Sequence, residues 1–573
     1  MNSVVLALIG VAMMLAGYFL YSKFLAHRIY GLDDSRPTPA HTMTDGVDFV
    51  PTNKFVLWGH HFTSVAGAAP IVGPAVAIIW GWVPAFLWVT LGTVFFAGMH
   101  DFGALWASAR HRGKSIGTLS GDYIGGRGRA LFLVIIFLLL LMVTAVFAVV
   151  IANLLVSTPT AVIPTWGAIL VALLVGQAIY RWKMSLLWVS VVGVVALYGL
   201  ILIGNAVPLA LPDTILGLNA AAFWIVVLML YAGVASILPV WMLLQPRDYI
   251  NGLQLFIGLG ILYGGIMLSS PQIVAPAFNE NVPAGTPSLV PLLFVTIACG
   301  AISGFHGIVS SGTSSKQLDK ESDARFVGYF GAVGEGLLAL GTIIAVSAGF
   351  QSVAQWEALY DTFGNGGVPA FIEGGGNIIE NGIGLPQSLS ATVLATMAVL
   401  FAATTMDTGV RLHRFVTQEI SQLFNIRLGK GIATVIVLLL SFGLAFGAST
   451  DGTGGMLIWP LFGTTNQLLA ALTLSILAVL LLKLKRNVLP VVIPLVFVLT
   501  MTVWALVVQL GGYFRDGNWL LAVLGTIVFV SAIWVVIESG FAMRRVRAGE
   551  VTTDEVRDAQ NDVLDDEDSG ARR

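Results

Sequence analysis

Seven ionisable side chains of this chain lie inside long apolar stretches. They are His60 and His61 in GHHFTSVAGAAPIVGPAVAII, His100 and Asp101 in MHDFGALW, His306 in GAISGFHGIVSSGT, Glu335 in GAVGEGLLAL, and Asp407 in TTMDTGVRLHRF. At bilayer depth such groups are costly, and those that persist face a bundle interior or a solute path. Imidazoles and carboxyls exchange protons, so His60, His61, His306, Glu335 and Asp407 are candidates for proton coupling. The hydroxyls of Ser310 and Ser311, with Thr313 and Ser314 following, are hard oxygen donors that suit Na⁺. Each has a plainer reading that stays open here. Asp407 and Arg411 stand at i, i+4 and form a local ion pair on that reading. His60 and His61 suit an interfacial position, serine and threonine pack helices closely, and Asp101 caps a neighbouring loop. A metal site is a weaker reading. His100 and Asp101 have ligand chemistry, but adjacent histidines on a helix diverge by about 100°, and HExxH or cysteine-rich signatures are absent. No cofactor is expected beyond a coupling H⁺ or Na⁺.

The elements that position these groups must be membrane helices. The chain has 573 residues, 57% hydrophobic and 10% charged, with a mean hydropathy of +0.87. Soluble domains carry about 25% charged residues, so the composition implies an all-α polytopic membrane protein. A net charge of −2 gives no footprint for nucleic acid. Cys299 is the only cysteine, which excludes an internal disulfide. Met1 to Val5 lack a basic n-region, so a cleavable signal is not expected. Apolar runs of about 17–25 residues give about 15 spans. They lie near 4–24, 56–79, 82–108, 130–157, 163–180, 185–206, 221–244, 251–269, 289–312, 326–349, 388–408, 431–447, 457–482, 488–510 and 518–541. With the N-terminus outside and the C-terminus cytoplasmic, all of the 29 Lys and Arg except Arg515 fall on the cytoplasmic side, as the positive-inside rule requires.

The span 56–79 is interrupted by Gly67, Pro70, Gly73 and Pro74. Proline removes a donor and crowds the preceding turn, and a freed carbonyl in hydrocarbon needs protein, water or an ion. A helix broken at mid-depth is how transporters build a solute site, which nominates Gly67, Ala68, Ala69, Pro70 and Gly73. A second interruption is predicted at Ala232 to Pro239, with Gly233, Ser236 and Pro239 as the matching residues. Two breaks of opposite polarity five spans apart predict an inverted repeat. Segments 56–206 form one five-helix half, and 221–408, within 207–430, form the other. Residues 1–55 and 431–541 are additions around that core. The loop 351–387 has no Lys or Arg, and both a lid and a mobile surface loop fit it. The tail 542–573 begins basic and ends acidic, which predicts a membrane-edge anchor and a disordered end.

The segments GHHFTSVAGAAPIVGP, MHDFGALWASARHRGKSIG, LFVTIACGAISGFHG, TTMDTGVRLHRF and WPLFGTTNQLLAA together resemble the carbon starvation protein A family, from Gly59 to Ala471. The resemblance implies a transporter of peptides or pyruvate in a bacterial or archaeal cytoplasmic membrane, with proton coupling proposed for the pyruvate carriers. It also implies a LeuT-like five-plus-five core. The expected partners are the lipid bilayer and a small-molecule substrate. Its carboxylate would meet free N–H groups at the half-helix N-termini. Asn466 and Gln467 are expected to pack helices. The alternatives are a sodium-coupled symporter of another small carboxylate or amino acid, and a nutrient sensor that moves nothing. A membrane enzyme lacks a nucleophile or phosphate-cradling motif.

Overall fold

A computed structural model describes residues 1–549 except 47, 240–241, 364–365 and 448–453. Among them the only strands are the two-residue pair Thr214–Ile215 and Leu218–Asn219. All else of weight is helix: α1 (Ser3–Tyr30), α2 (Lys54–Ala66), α3 (Ala69–Trp80), α4 (Trp82–Ala109), α5 (Ile116–Tyr123), α6 (Gly126–Ser157), α7 (Pro159–Ile179), α8 (Leu186–Ala206), α9 (Ala220–Ile237) and α10 (Leu244–Ser269). Three short pieces follow, α11 (Leu289–Thr296), α12 (Ala298–Ala301) and α13 (Gly304–Gly312), then α14 (Arg325–Ala348), α15 (Val353–Leu359), α16 (Gly367–Ile383) and α17 (Gln387–Leu423). The last four are α18 (Lys430–Gly447), α19 (Gly454–Lys483), α20 (Leu489–Arg515) and α21 (Trp519–Arg547).

Thirteen of these helices are long and apolar enough to cross a membrane, or 14 when the bent pair α2–α3 counts as one span. The protein is a multi-pass membrane protein. The predicted span 289–312 is cut into three pieces, each too short to cross a bilayer of about 30 Å. Enclosed helices α6, α17 and α19 form the centre, whereas α8, α18 and α20 turn large apolar side chains such as Leu187, Leu439 and Ile493 outward. In a bilayer such a face needs no cover.

One interruption stands as expected and the other does not. The α2–α3 pair is bent by 46° at Gly67–Ala68. The predicted break at Ala232 to Pro239 is not one, because α9 runs unbroken through Gly233 and Ser236 and stops at Ile237. Glycine and serine alone do not open a helix, and Pro239 stands beyond its end, where it cannot disturb a preceding turn. The second broken element is α11–α13, with Ile302 and Ser303 in extended conformation.

The described residues of the segment 351–387 include the helices α15 and α16. A Cβ on Gly374 would collide with the Ala345 carbonyl, so this glycine lets α16 lie directly on α14. Trp356 is buried, and the Tyr360 hydroxyl donates to the Ala75 carbonyl at the end of α3 (2.6 Å). The predicted anchor is the last turn of α21, where Arg544, Arg545 and Arg547 lie; the acidic end falls outside the described residues.

Candidate functional site

Gly67 closes α2 with φ 54° and ψ −161°, a backbone that L side chains rarely adopt. A Cβ there would also meet the Thr405 hydroxyl at 2.8 Å. Pro70 opens α3, where its missing N–H is no loss. The carbonyls freed at the end of α2 are met by α17: Thr404 Oγ1 donates to the Thr63 carbonyl (3.2 Å) and Thr405 Oγ1 to that of Ser64 (3.3 Å). Gly73 of α3 lies against the backbone of Thr296 and Ile297, and Pro74 against Gly300, so the two broken elements touch. On the second, Asn466 of α19 accepts from the Phe305 N–H (2.9 Å) and exchanges hydrogen bonds with Ser303. Asn466 thus caps α13. Gly233, Ser236 and Pro239 are not brought to this place. Gly233 lies against Leu438 of α18, and the Ser236 carbonyl accepts from Arg414 (2.7 Å).

Two buried polar networks flank the first broken helix. In one, Asp101 of α4 accepts from His100 Nδ1 on one oxygen and from His306 Nδ1 on the other, each at 2.7 Å. His306 Nε2 stands 3.1 Å from Glu335 of α14, close enough for an ion pair but out of line for a hydrogen bond. All four groups are sealed from solvent. Asp101 therefore caps no loop.

The second network joins α2, α9, α10 and α17. His60 Nδ1 donates to Asp248 (3.0 Å), and Arg247 Nη2 stands 3.4 Å from the other Asp248 oxygen. Arg247 Nη1 pairs with Asp407 and donates to the Tyr231 hydroxyl (2.6 Å). The local Asp407–Arg411 pair, one of the two readings of Asp407, is not formed, since Asp407 turns to Arg247. His61 diverges from His60 and bonds Ser314 (2.8 Å). Among the described residues no three His, Cys, Asp or Glu side chains converge as metal ligands. Ser311 donates to the Gly307 carbonyl and accepts from the Ile116 N–H, and the Ser310 hydroxyl has no partner among the described residues. Neither serine reaches the freed carbonyls, a place held by Thr404 and Thr405.

At the basic end of the molecule a cavity of about 620 Å³ opens between α2, α10, α13 and α17. Its wall includes Pro246, Tyr249 and Thr408, the chain neighbours of the Arg247–Asp248–Asp407 cluster, with Arg181, Lys316 and Arg411 around it. Burial pushes the Lys316 ammonium below the ordinary lysine range, opposed by Asp48 and Glu419.

The family model described as carbon starvation protein CstA matches residues 2–359 and 350–505. The chain belongs to the CstA family. The pyruvate/proton symporter BtsT of Escherichia coli is 30% identical over 87% of this chain and 81% of its own length. The peptide transporter CstA of Helicobacter pylori is 33% identical over 82% of this chain and 76% of its own. A manganese transporter of Eremococcus coleocola shares its shape only loosely, with a TM-score of 0.46 at 12% identity over 88% of this chain and 99% of that one.

For this CstA-family chain, sequence reasoning missed Arg247, Asp248, Asn251 and Gln254. They lie at the start of α10, where Arg247 and Asp248 fall in the link between the predicted spans 221–244 and 251–269 and Asn251 and Gln254 in the first turn of the second. The signal that could have found them was spacing: Arg247, Asn251 and Gln254 recur at i, i+4, i+7, a single helix face.

Proposed function

We propose that this protein is a secondary active transporter that takes up pyruvate or a short peptide together with a proton, by alternating access. The observation that carries this reading is the cavity: it is open at the basic end, ends against a buried ionisable cluster, and abuts a helix broken at mid-depth. The opposite end is covered by α15 and α16, with Tyr360 on the Ala75 carbonyl. By the positive-inside rule the basic end is cytoplasmic, so this arrangement corresponds to an inward-facing state. The symporter and peptide carriers among the relatives supply the substrate classes and the proton.

Paired packing supports an inverted repeat in a LeuT-like core, with boundaries different from 56–206 and 207–430. One unit is α2–α3, α4, α6, α9 and α10; the other is α11–α13, α14, α17, α18 and α19. Under that correspondence the contact of α3 with α14 mirrors that of α13 with α4, α2 with α10 mirrors α11 with α19, and α6 with α9 mirrors α17 with α18. The connectors α5 and α15–α16 then lie at opposite ends, α5 on α6 and α16 on α17. The hairpin α7–α8 is an insertion, which displaces the second unit in sequence and explains why equal spacing of breaks misplaced it. Of the coupling candidates, Asp407 borders the cavity wall, and His60 reaches it through Asp248.

The test is uptake of labelled pyruvate and labelled dialanine into proteoliposomes, with proton and sodium gradients imposed separately. Accumulation under an inward proton gradient is expected. Accumulation under sodium alone would move coupling to the Thr404–Thr405 hydroxyls and the carbonyls they meet. Failure of counterflow for both solutes would overturn transport of these substrates.

A further inference from the structure

Arg247 is a fully buried cation held by an incomplete set of partners. Its Nε and Asp407 Oδ1 have no hydrogen-bond partner among the described residues, so the pair uses one oxygen and one nitrogen where a guanidinium offers a two-pronged fork. One turn further along α10 stands Asn251, 1% exposed, and another turn on Gln254, 0% exposed. Neither amide oxygen nor amide nitrogen of either residue finds a partner among the described residues. Buried polar groups are normally satisfied, and four unspent amide atoms on one helix face call for an explanation. The face lies between α2 and α17: Gly252 abuts Gly59 and Thr63, and Gly258 abuts Met397. The row therefore climbs from the cavity wall at Pro246 towards the break at Gly67.

We propose that Arg247, Asn251 and Gln254 form the recognition row for a short peptide, and this inference rests on the transport reading above. Arg247 takes the terminal carboxylate, while Asn251 and Gln254 pair with successive backbone amides. Length favours a peptide over pyruvate. Seven helical residues at about 1.5 Å rise span about 10 Å, which matches about three extended residues at roughly 3.3–3.6 Å each. A three-carbon keto acid reaches only the first position.

The same arrangement sets the coupling. In the substrate-free protein Asp407 occupies the guanidinium, so an incoming carboxylate displaces it. A carboxylate stripped of its counter-cation in a dry site is kept by adding a proton. That proton is taken from water on the side the site faces and ends on Asp407; no other bond changes. One proton thus enters with each carboxylate. The ionisable groups that reach Asp407 are Arg247 and Asp248 from α10 and Tyr231 from α9, with His60 of α2 behind Asp248 and Arg411 one turn along α17. The other helices on α17 carry theirs at the ends: Arg127 and Arg129 of α6 and Lys430 of α18 at the basic end, Glu373 and Glu380 of α16 at the other.

The test is equilibrium binding of labelled trialanine, trialaninamide and pyruvate to the purified full chain between pH 5.5 and 8.5. Wild type is expected to bind trialanine more tightly than pyruvate, to bind trialaninamide at least tenfold more weakly, and to tighten as pH falls. Asp407→Asn should bind trialanine more tightly than wild type at pH 8.5 and lose the pH dependence. Asn251→Leu and Gln254→Leu, which remove unpaired groups and so keep the fold, should each weaken trialanine at least fivefold and leave pyruvate unchanged. The charge-balanced double variant R247Q/D407N should fold and bind no carboxylate. Trialanine affinity unchanged in both leucine variants, or retained in the double variant, overturns the row while leaving transport intact. Wild type that binds neither solute overturns the transport reading and this inference with it.

Discussion

Two networks of similar ingredients, carboxylates and imidazoles buried beside one broken helix, differ in one component and in one boundary. The Asp248–Arg247–Asp407 cluster contains a permanent cation and borders the cavity through Pro246, Tyr249 and Thr408. The His100–Asp101–His306–Glu335 chain has no permanent cation and does not line that cavity. A guanidinium that cannot lose its charge must always find an anion, so its partner is open to exchange with an incoming one. A group of imidazoles and carboxylates can satisfy itself by distributing protons, and sealed from water it holds what it joins. On the proposed mechanism the first exchanges partners and the second pins α4, α13 and α14 together. Adjacent residues of α2 divide between the two sides, His60 to Asp248 and His61 to Ser314.

The comparison is broken most forcefully at Asp101. Asp101→Leu leaves both His100 Nδ1 and His306 Nδ1 without an acceptor, and loss of one member of a buried ion network costs about 3–5 kcal/mol. The folded fraction after detergent extraction, followed by size-exclusion chromatography, should fall sharply. A monodisperse peak at wild-type yield would show that the sealed chain pins nothing. Next in size is Glu335→Gln. It keeps the shape and removes the acid, leaving His306 Nε2 facing a neutral amide, at a cost of about 1–3 kcal/mol. Thermal stability should drop, while gradient-driven accumulation stays within about threefold of wild type. Collapse of accumulation with exchange retained would instead place the transported proton on this chain and reverse the roles of the two networks.

How far the sequence revealed these arrangements depended on whether the signal was local. The break at Gly67 was legible because a proline and a positive-φ glycine act within one turn, as were the chemistry of the seven ionisable groups and the divergence of His60 from His61. The partner of Asp407 was not: Arg247 lies 160 residues away, and Arg411 offered a nearer, wrong answer at i+4. The second break was misplaced because Ala232 to Pro239 has break-forming residues at a helix end, where they interrupt nothing. In α11–α13 the interruption is instead supported from outside, by Asn466 on a distant helix. Ser311 bonds within α13 and to the Ile116 N–H, while Thr404 and Thr405 of α17 meet the freed carbonyls, a pairing that no local spacing announces.

Gly67 lies between the networks and tests whether α2 can serve both. Gly67→Ala places a methyl 2.8 Å from the Thr405 hydroxyl and forces a left-handed residue, a strain of about 1–2 kcal/mol. Binding of trialanine, measured at equilibrium, should change little, because the α10 row is untouched, while the exchange rate falls about tenfold for about 1.4 kcal/mol of added barrier. An unchanged exchange rate would mean the break does not move during transport.

The smallest effect sharpens the boundary between the two networks. Lys316 lies in the cavity wall and contributes to the field that an anion meets before Arg247. Its charge is long-range and screened, so Lys316→Met should slow association of trialanine by about two- to threefold at low salt and hardly at all near 1 M, where the Debye length is about 3 Å. The direction with pH follows from burial. Lys316 titrates below the ordinary lysine range, so its charge is complete below that lowered pKa and is lost as pH rises through it. The difference between wild type and variant should therefore close at a lower pH than for an exposed lysine. Stopped-flow association at two salt concentrations measures this directly. A salt-independent difference would mean that Lys316 touches the peptide itself, and the row on α10 would then extend into the cavity.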